Sequence, residues 1–599
     1  MEDKIMIFPG LIRRCAVIYV FTFIFFSILH AEDEGIALEP VIIKAERMDK
    51  DFRKLPVSGS VLYGDNIDMQ NAKQTTDLLS ILPGVFIRRT SAFGRADVDI
   101  RGIGGNGRQI GIFIDGRPDK MGLFGCAVTH TLPFNNVDRI ELIRGPESVL
   151  YGSEAFGGIV NIVTKRPRKR IQGNITGSYG TFNTQNYKIE QGGKLENSEY
   201  YITLNKQQTD GHKTNARYDA NDFTAKYGYT FGNKSELFLS GKYFGGIKNE
   251  PAPSIAGTWY DYQRGSFDLS YDLKAGINDL SMKYYRSFGE HKFSDGFHST
   301  DFTDGFMLHN TASLIQDNTL NAGIDSRYQF ADVLNTSLAG YKKQYHKYEY
   351  GVYVNDEHTF FKKLSLTLGA RYNMDEISDD NITTKAGLVY DTKKNLIFRV
   401  LRSEGFRSPQ LNDLYFMPPS NPDLKPERVV NHEVGARYYA GGINFDISGF
   451  VMNGTDLIEV RNGKNRNIGS FEYKGIETSV GYKIMKSLDL IAGYTYSDYG
   501  TKTGGKPQDK ATTMLKYSEN KLSAMLSVNY VARYFANDNL LNKIPDYIIA
   551  DARIAYELTS GTKIFISIDN LTNEAYRIYS GDIYDMPGRS ISAGISYGF

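Results

Sequence analysis

The sequence predicts a membrane all-β protein, a transmembrane antiparallel β-barrel of about 22 strands with a small α+β domain before it. Beyond residue 31 no long apolar stretch remains, and the mean hydropathy of −0.37 excludes a helical membrane protein. Short segments in which apolar and polar residues alternate recur from about residue 171 to the end. The chain has 59 glycines and 41 tyrosines but one tryptophan. This composition is typical of many strands joined by turns and flanked by aromatic girdles.

The first residues predict a secretory signal peptide over residues 1–31. Arg13 and Arg14 precede an apolar run at 15–29, which is shorter than the roughly 20 residues that a membrane-spanning helix needs. Ala31 offers a small residue for cleavage. Removing this segment takes away three of the 70 basic and two of the 69 acidic side chains, so the mature chain is neutral. A neutral chain argues against nucleic acid as a partner.

The next part of the chain mixes helical and strand patterns. "TTDLLSILPGVFIRR" has a helical apolar pattern that Pro83 and Gly84 end, and "IVNIVTK" is a strand pattern. We therefore predict a periplasmic segment at 32–50, an α+β domain at 51–165 and the barrel at 166–599. A G-x-G-x-x-G spacing begins at Gly102, but the following "RQIGIFIDG" alternates as a strand. The helix of a dinucleotide site is missing, so these glycines are assigned to tight turns.

The last segment shows the alternation of the barrel part most clearly. In "SISAGISYGF", apolar residues at 591, 593, 595, 597 and 599 alternate with serine and glycine. "TKIFISID", "KLSLTLGARY" and "INFDISGF" repeat this pattern. The 429 residues from 171 to 599 allow about 19 residues for each of 22 strands with its loop. Counts of 18 or 20 strands also fit. A water-soluble sandwich is the alternative, but such domains rarely exceed about 250 residues.

Several motifs, in order, resemble the TonB-dependent outer-membrane receptor family. "ILPGVFIR", "DIRGIG", "IFIDGRP" and "RGPESVLYGSEAFGGIVNIVTK" match its plug domain, and "FRSPQLNDLY", "NPDLKPE" and the terminal Phe599 match its barrel. The resemblance implies a plug inside a 22-stranded barrel in the cell outer membrane. It also implies active uptake powered by TonB and its inner-membrane energising complex. We expect a monomer in contact with outer-membrane lipid, without enzymatic activity and without a resident cofactor.

One short segment is similar to the family's TonB box. It is "EPVIIKA", formed by Glu39, Pro40, Val41, Ile42, Ile43, Lys44 and Ala45. An extended peptide rich in β-branched residues can add as a strand to the sheet edge of a partner. The resemblance implies that TonB pulls here, so that ligand binding outside must change the exposure of this segment inside. A plain first strand of the plug is the alternative.

Four charged residues match plug and barrel positions of the family. Arg101 in "DIRG" and Arg144 in "LIRGP" match two plug arginines, while Glu433 in "NHEVGARY" and Glu477 in "KGIETSV" match two barrel glutamates. Opposite charges in a confined lumen would lock the plug to the wall, because an isolated buried charge costs several kcal/mol. Ordinary lumen-facing charges near water are the alternative.

The imported ligand is the open question. We expect a metal chelate of the iron–siderophore type, with cobalamin or haem as alternatives and a passive porin or adhesin as the alternative from another class. Haem receptors carry a histidine after the "FRSP"-like segment, and "QLNDLYFMPPS" has none. The candidate ligand-contacting residues at the mouth are Tyr345, Tyr348, Tyr350 and Tyr353. An aromatic girdle would explain these tyrosines equally well.

A second candidate ligand is copper or another soft metal ion. "MGLFGCAVTH" brings together Met121, Cys126 and His130, and "GFMLHN" holds Met307 and His309. The last two share one face of a strand because they are two residues apart. Sulfur and imidazole ligands suit such metals, and the arrangement resembles that of outer-membrane copper receptors. The alternative, which we favour, is a cysteine packed as a small apolar residue.

Overall fold

The computed structural model describes residues 42–43, 50–251, 257–337, 340–581 and 584–599. The predicted signal peptide at 1–31 lies outside the described residues, as do Glu39, Pro40, Val41, Lys44 and Ala45. The remaining two residues of the predicted TonB box form strand β1 (Ile42–Ile43), which pairs antiparallel with β2 (Lys50–Asp51). In the described part of the chain no helix is long and apolar enough to cross a membrane.

The N-terminal domain is a small α+β unit. Its strands are β3 (Ser58–Tyr63), β4 (Val85–Arg89), β5 (Ala96–Ile100), β6 (Gly111–Ile114), β7 (Arg117–Pro118), β8 (Val137–Arg144) and β9 (Gly158–Thr164). Its α-helices are α1 (Gly64–Asp68), α2 (Thr75–Ser80) and α3 (Ser148–Tyr151), and short 3-10 turns lie at Phe52–Lys54, Gly105–Gly107, Thr129–Thr131 and Gly152–Glu154. The sheet order β3-β8-β9-β6-β7 places β3 at an edge, and β4 pairs with β5 in a separate hairpin.

The rest of the described chain forms a closed antiparallel barrel of 22 long strands, which confirms the predicted fold. These are β10 (Gln172–Gly180), β11 (Thr184–Leu195), β12 (Ser198–Thr209), β13 (Tyr218–Thr230), β14 (Glu236–Asn249), β15 (Trp259–Ala275), β16 (Asn278–Phe293), β17 (Phe297–Ala312), β18 (Asn318–Asn335), β19 (Tyr341–Phe360), β20 (Leu364–Asp375), β21 (Asn381–Asp391), β22 (Leu396–Arg407), β23 (Glu427–Ala440), β24 (Ile443–Arg461), β25 (Lys464–Met485), β26 (Leu488–Asp498), β27 (Lys506–Glu519), β28 (Leu522–Phe535), β30 (Tyr547–Thr559), β31 (Thr562–Asp569) and β32 (Ser590–Gly598). A two-residue strand, β29 (Lys543–Ile544), pairs with the end of β28. A 3-10 turn at Thr181–Asn183 follows β10, and helix α4 (Leu411–Leu414) follows β22.

The alternation in the sequence becomes the two faces of the barrel wall. Along β32 the apolar side chains from Ile591 to Tyr597 are exposed on the outer surface, while the serines and glycines between them face inward. Strand β32 also pairs with β10, with Ile175 opposite Tyr597, and this pairing closes the barrel. An outward apolar band and a polar interior are what a lipid bilayer requires of a barrel.

The two ends of the barrel differ in the length of their connections. Tight turns such as 196–197 lie at one end, and the long segments 408–426 and 570–589 lie at the other. In outer-membrane barrels the short turns face the periplasm and the long loops face outward, so we call the second end the outer end. Trp259, the one tryptophan of the chain, begins β15 at this outer end.

The α+β domain fills the lumen and shares a core with the wall. The largest apolar cluster joins plug residues such as Leu78 and Ile100 to the barrel residues Val429, Phe450 and Met452, all of them buried. Burial of apolar area across this contact stabilises the plug inside the barrel. The plug is therefore docked against the wall and is not suspended in water.

Candidate functional site at the plug–barrel interface

The four predicted charged residues meet between the plug and the barrel. Nη1 of Arg101, which follows β5, lies 2.8 Å from Glu433 Oε2, and its Nη2 lies 2.7 Å from Glu477 Oε2. Nε of Arg144, the last residue of β8, lies 3.1 Å from Glu477 Oε2. Arg101 is only 1% exposed. A charge buried in this way is strongly destabilising unless an opposite charge lies beside it. Their action as a lock during transport stays a prediction.

The environment of the two plug arginines explains their different roles. Burial alone would lower the pKa of Arg101, but the Glu477 and Glu433 carboxylates outweigh it and raise the pKa. Burial lowers the pKa of Arg144, and the charge of Arg101 adds to this effect against the pull of Glu477. Arg144 also donates to two plug carbonyls, Pro83 O at 2.9 Å and Gly59 O at 2.9 Å. It therefore braces the plug internally as well as facing the wall.

The turn that ends helix α2 brings the plug backbone against the carboxylate of Glu477. Gly84 has a φ of +72°, and a side chain there would collide with Glu477. Its amide donates to Thr495 Oγ1 on the wall at 2.8 Å. Glycine is the residue that tolerates both the positive φ and the close approach. The "PG" pair of the sequence therefore ends the helix and also seats it beside the charged cluster.

The charged cluster extends further than sequence reasoning predicted. Ser58, the first residue of β3, donates to Glu433 Oε1 at 2.5 Å and accepts from Arg399 Nη2 at 2.9 Å. Arg399 in turn binds both carboxylate oxygens of Asp446 at 2.8 and 3.0 Å. Arg399 and Asp446 stand at inward positions of their alternating strands, in "IFRVLR" and "INFDIS". That inward position was the signal available in the sequence.

A single barrel arginine holds the first segment of the plug through its main chain. Arg437 on β23 is fully buried, and its Nε donates to Asp446 Oδ2 at 2.7 Å. Its two terminal nitrogens donate to four main-chain oxygens, those of Phe52 (2.8 Å), Arg53 (3.2 Å), Leu55 (2.8 Å) and Val57. The guanidinium also lies 4.3 Å from the centre of the Phe52 ring. We call residues 52–57 the lead segment and this contact the carbonyl clamp.

Three of the five predicted soft-metal ligands, Met121, Cys126 and His130, lie in a plug loop at the outer end. The Met121 amide donates to Cys126 O at 3.0 Å, which closes a tight turn. The His130 ring packs among aromatic side chains and lies 4.7 Å from the ring of Tyr262. Burial lowers the pKa of His130 well below its ordinary value, and Lys248 adds to the effect, so the ring is neutral. Cys126 is a free, half-buried cysteine, whereas His130 is buried among aromatic rings.

The structure does not bring Met307 and His309 to this loop. Met307 faces the lumen as predicted, beside Phe113 and Arg327. The loop meets β17 at Asp301, which is six residues, or about 20 Å, from Met307 along the strand. In the parts of the chain that the structure describes, no cluster of three or more His, Cys, Asp or Glu is placed to hold a metal ion. The predicted copper site is not assembled.

Three of the four predicted mouth tyrosines lie elsewhere. Tyr348 and Tyr350 are 40% and 47% exposed on the outer, lipid-facing surface of β19. Tyr353 is buried in an apolar cluster with plug residues such as Phe113 and Tyr151. Tyr345 does lie near the mouth, where its ring stacks on Tyr415 at 5.8 Å. The prediction is wrong for the first three because alternate residues of a strand face opposite sides of the wall.

An aromatic belt lines the outer lumen at positions that, apart from His130, were not singled out from the sequence. Its members share ring contacts with centroid distances of 4.7–6.5 Å. They are Phe93, Tyr218, His130, Phe244, Tyr262, Tyr260, Phe293, Phe297, Phe124, Phe416 and Tyr341. Three of them, at 93, 124 and 130, belong to the plug. The belt therefore joins the top of the plug to the surrounding wall.

Two arginines accompany the belt at the top of the plug. The Arg95 side chain is 55% exposed and lies 3.3 Å from Asp97. Arg108 Nη1 binds Asp413 Oδ1 of helix α4 at 2.9 Å. The Asn412 amide of α4 also donates to Leu123 O of the plug loop at 3.0 Å. The outer end thus combines cationic groups, aromatic faces and a direct link from an outer loop to the plug.

Two family models together cover nearly all of this architecture. The TonB-dependent receptor plug domain matches residues 51–159, and the TonB-dependent receptor-like β-barrel matches residues 162–571. The chain belongs to the TonB-dependent receptor family. This TonB-dependent receptor is accordingly an outer-membrane protein, as predicted. The filled lumen also separates it from a passive porin.

Relatives of this TonB-dependent receptor have different names. It is 23% identical to the vitamin B12 transporter BtuB of Vibrio vulnificus over 96% of this chain and 97% of that protein. It is 22% identical to the iron-regulated outer membrane virulence protein of Vibrio cholerae over 95% of this chain and 96% of that protein. Among solved structures, the siderophore receptor PiuA from Acinetobacter baumannii matches with a TM-score of 0.80 at 14% identity over 94% of this chain and 100% of that chain. The ferric yersiniabactin uptake receptor FyuA from Yersinia pestis matches at 0.77 and 16% over 91% of this chain and 98% of that chain. At these identities the structural likeness concerns the fold.

Proposed function

We propose that this TonB-dependent receptor imports an anionic metal chelate of the iron–siderophore type, driven by TonB pulling on residues 39–45. The observation that supports this substrate class is the outer end of the plug. Arg95 and Arg108 stand there beside a belt of aromatic rings. Guanidinium groups pair with anionic oxygens, and aromatic side chains pack on flat rings. A ferric tris-catecholate, which is an aromatic trianion, combines both features.

The curated relatives divide between an iron-regulated protein and a vitamin B12 transporter. Charge separates these ligand classes. A corrinoid lacks the concentrated negative charge of a ferric catecholate, so two arginines at the top of the plug would contribute little to its binding. The arginines therefore favour the chelate.

Contacts at the inner end of the plug support TonB as the source of energy. Lys50 contacts the wall, with its Nζ 2.6 Å from Glu357 Oε2, and the carbonyl clamp follows along the chain. The clamp is linked through Asp446, Arg399 and Ser58 to Glu433 and hence to Arg101. A pull on the N-terminus is thus transmitted along one continuous set of buried contacts.

The test uses cells without other receptors of this class and two labelled probes, a ⁵⁵Fe ferric tris-catecholate and ⁵⁷Co-cyanocobalamin. Replacing Arg95 and Arg108 together with glutamine should weaken catecholate binding at least tenfold, since each hydrogen bond to a charged group contributes about 1.5–3 kcal/mol. Arg168→Gln is the matched control, because Arg168 is an exposed arginine at the periplasmic side, paired with Asp138 at 2.8 Å. Unchanged catecholate binding in the double variant, or uptake of the corrinoid alone, would contradict the proposal.

A further inference from the structure

The plug is tied to the wall unevenly around its circumference. Ion pairs with the wall occur from β11 to β25 and include Lys165–Glu190, Asp115–Lys226, Arg117–Asp268, Glu154–Arg327, Glu147–Lys385 and Arg101–Glu433. On the wall from β26 to β32, the part of the chain that the structure describes has one plug–barrel ion pair, Lys73–Asp569 at 2.7 Å. Removing one partner of a buried ion pair is strongly destabilising, because the other charge is left buried without compensation. Among the described residues, the plug therefore has the fewest ion pairs with the wall on the β26–β32 side.

A cavity of about 200 Å³ lies between the plug and the wall on the β26–β32 side. One wall is plug residues 70–92, the other is formed by β27, β28 and β30, and the outer loop 570–589 covers part of it. Four basic residues (Lys73, Arg89, Lys510 and Arg553) and three acidic residues (Asp77, Asp551 and Asp569) are among those that line it. The plug and the wall are thus already separated here by a space with an excess of positive charge.

Two of the basic residues in this cavity are not neutralised by a carboxylate. Lys510 Nζ donates to Leu82 O at 3.1 Å and to the main-chain oxygens of Ser80 and Val85. Arg553 Nη1 donates to Ser567 Oγ at 3.0 Å, and its guanidinium lies 3.9 Å from the centre of the Phe565 ring. Within the described residues, neither of them forms an ion pair with a carboxylate. Both can therefore donate hydrogen bonds to an anion that enters.

The plug topology places the same region first in line for withdrawal. Strand β3 is an edge strand that pairs only with β8 in the described sheet, and it follows the lead segment directly. After β3 the chain continues through α1 and α2 to Val85, the last of the three residues whose main-chain oxygens accept from Lys510. An edge strand can be removed without breaking the pairing of the other strands. A pull from the N-terminus thus removes the lead segment, then β3, then the plug wall of the cavity.

We propose that the substrate passes along the β27–β32 wall, where withdrawal of plug residues 58–85 extends the existing cavity, and that Lys510 and Arg553 line this passage for an anionic chelate. This inference rests on the proposed function, which supplies the pull and the anion. In the closed state Lys510 holds the plug carbonyls. Once these carbonyls leave, its amine is exposed to the passing anion.

The first test maps the passage without any substrate. Ser527 on β28 lines the cavity, and Ser287 on β16 faces the ion-paired side, where it is bonded to Arg117; both serines are buried, at 6% and 3% exposure. Each is changed to cysteine in a Cys126→Ala background, and the cells receive the anionic thiol reagent 2-sulfonatoethyl methanethiosulfonate. The 527 variant should be labelled at least tenfold faster when the inner-membrane complex is energised, and the 287 variant should not. Equal labelling of both, labelling of the 287 variant alone, or labelling of neither would overturn the assigned wall.

Deleting residues 39–45 in the same variants separates the two proposals. If the 527 variant is still labelled in energised cells after the deletion, the pulling mechanism is wrong but the assignment of the passage to the β27–β32 wall is retained. If labelling depends on 39–45 but occurs at 287, the mechanism stands and the wall is wrong.

The second test concerns Lys510. Lys510→Met should reduce uptake of the ⁵⁵Fe ferric tris-catecholate at least tenfold with surface binding unchanged, and Lys510→Arg should restore most of it. The matched control is Lys283→Met, because Lys283 is also a lumen-facing lysine that donates to a plug carbonyl, Asp115 O at 2.5 Å, but on the opposite wall. A residue that only holds the plug shut would give a leak with normal uptake, and that result would overturn the role in the passage.

Discussion

Replacing Arg437 with methionine removes the carbonyl clamp, because methionine keeps an unbranched apolar stem but has no donors. The oxygens of the lead segment then lose their common partner, whereas Asp446 keeps Arg399 at 2.8 Å. Each buried carbonyl left without its donor costs about 1–3 kcal/mol, so the loss of several such bonds amounts to about 3–5 kcal/mol. That free energy corresponds to a roughly 100- to 4,000-fold increase in the fraction of molecules in which residues 52–57 are detached from the wall.

Hydrogen–deuterium exchange of the purified receptor measures this fraction in peptides that cover residues 50–60. Exchange there should accelerate by the factor given, and ligand binding at the outer end should not change. Lys385→Met is the control, since it breaks another buried plug–barrel contact, with Glu147 at 2.9 Å, away from the lead segment. If residues 50–60 exchange equally slowly in the Arg437 variant and the natural protein, the clamp does not hold the plug.

Three further outcomes are expected. Deleting residues 39–45 should abolish uptake of the ferric probe while surface binding persists, and continued uptake would refute the pulling mechanism. Arg101→Ala should loosen the plug and raise single-channel conductance, whereas an unchanged closed state would count against the lock. Burial alone would raise the pKa of Asp119, but Arg117 and Arg264 lower it to about 2. Its contribution to stability is therefore complete above its ordinary pKa of 3.8 and is lost as the pH falls through about 2. Asp119→Asn should flatten the acid unfolding curve in that range, and an identical curve would exclude this carboxylate.

The barrel was predictable because lipid on one side and a filled lumen on the other impose a period of two on every strand. The last ten residues carry this pattern without interruption. The same period also gave the right face for Met307. It carries no information on depth, and the plug loop meets β17 about 20 Å away from that residue. The positions of Tyr348 and Tyr350 on the lipid side were available in principle, since they alternate in step with Val352 and Val354.

The charged cluster was predictable only in part. Arg101 and Glu433 were found because they stand in motifs that resemble a known family. The carbonyl clamp escaped because its acceptors are main-chain oxygens, which every residue carries and which therefore leave no trace in the sequence. Only the inward position of Arg437 on its strand hinted at a buried role. Contacts between a side chain and the main chain are invisible until the chain path is known.

The position of Trp259 provides an intrinsic fluorescent probe at the outer end of the receptor. This side chain is 38% exposed at the outer start of β15, next to Tyr260 of the aromatic belt, and the sequence has no other tryptophan. Its emission therefore reports from one known place, the outer rim of the wall beside the belt, on the face opposite to Tyr260. A ferric chelate that settles on the belt would quench this emission by its absorbance and its paramagnetic metal ion. Arrival at the rim can thus be followed in real time on unlabelled protein, separately from the later movement of the plug.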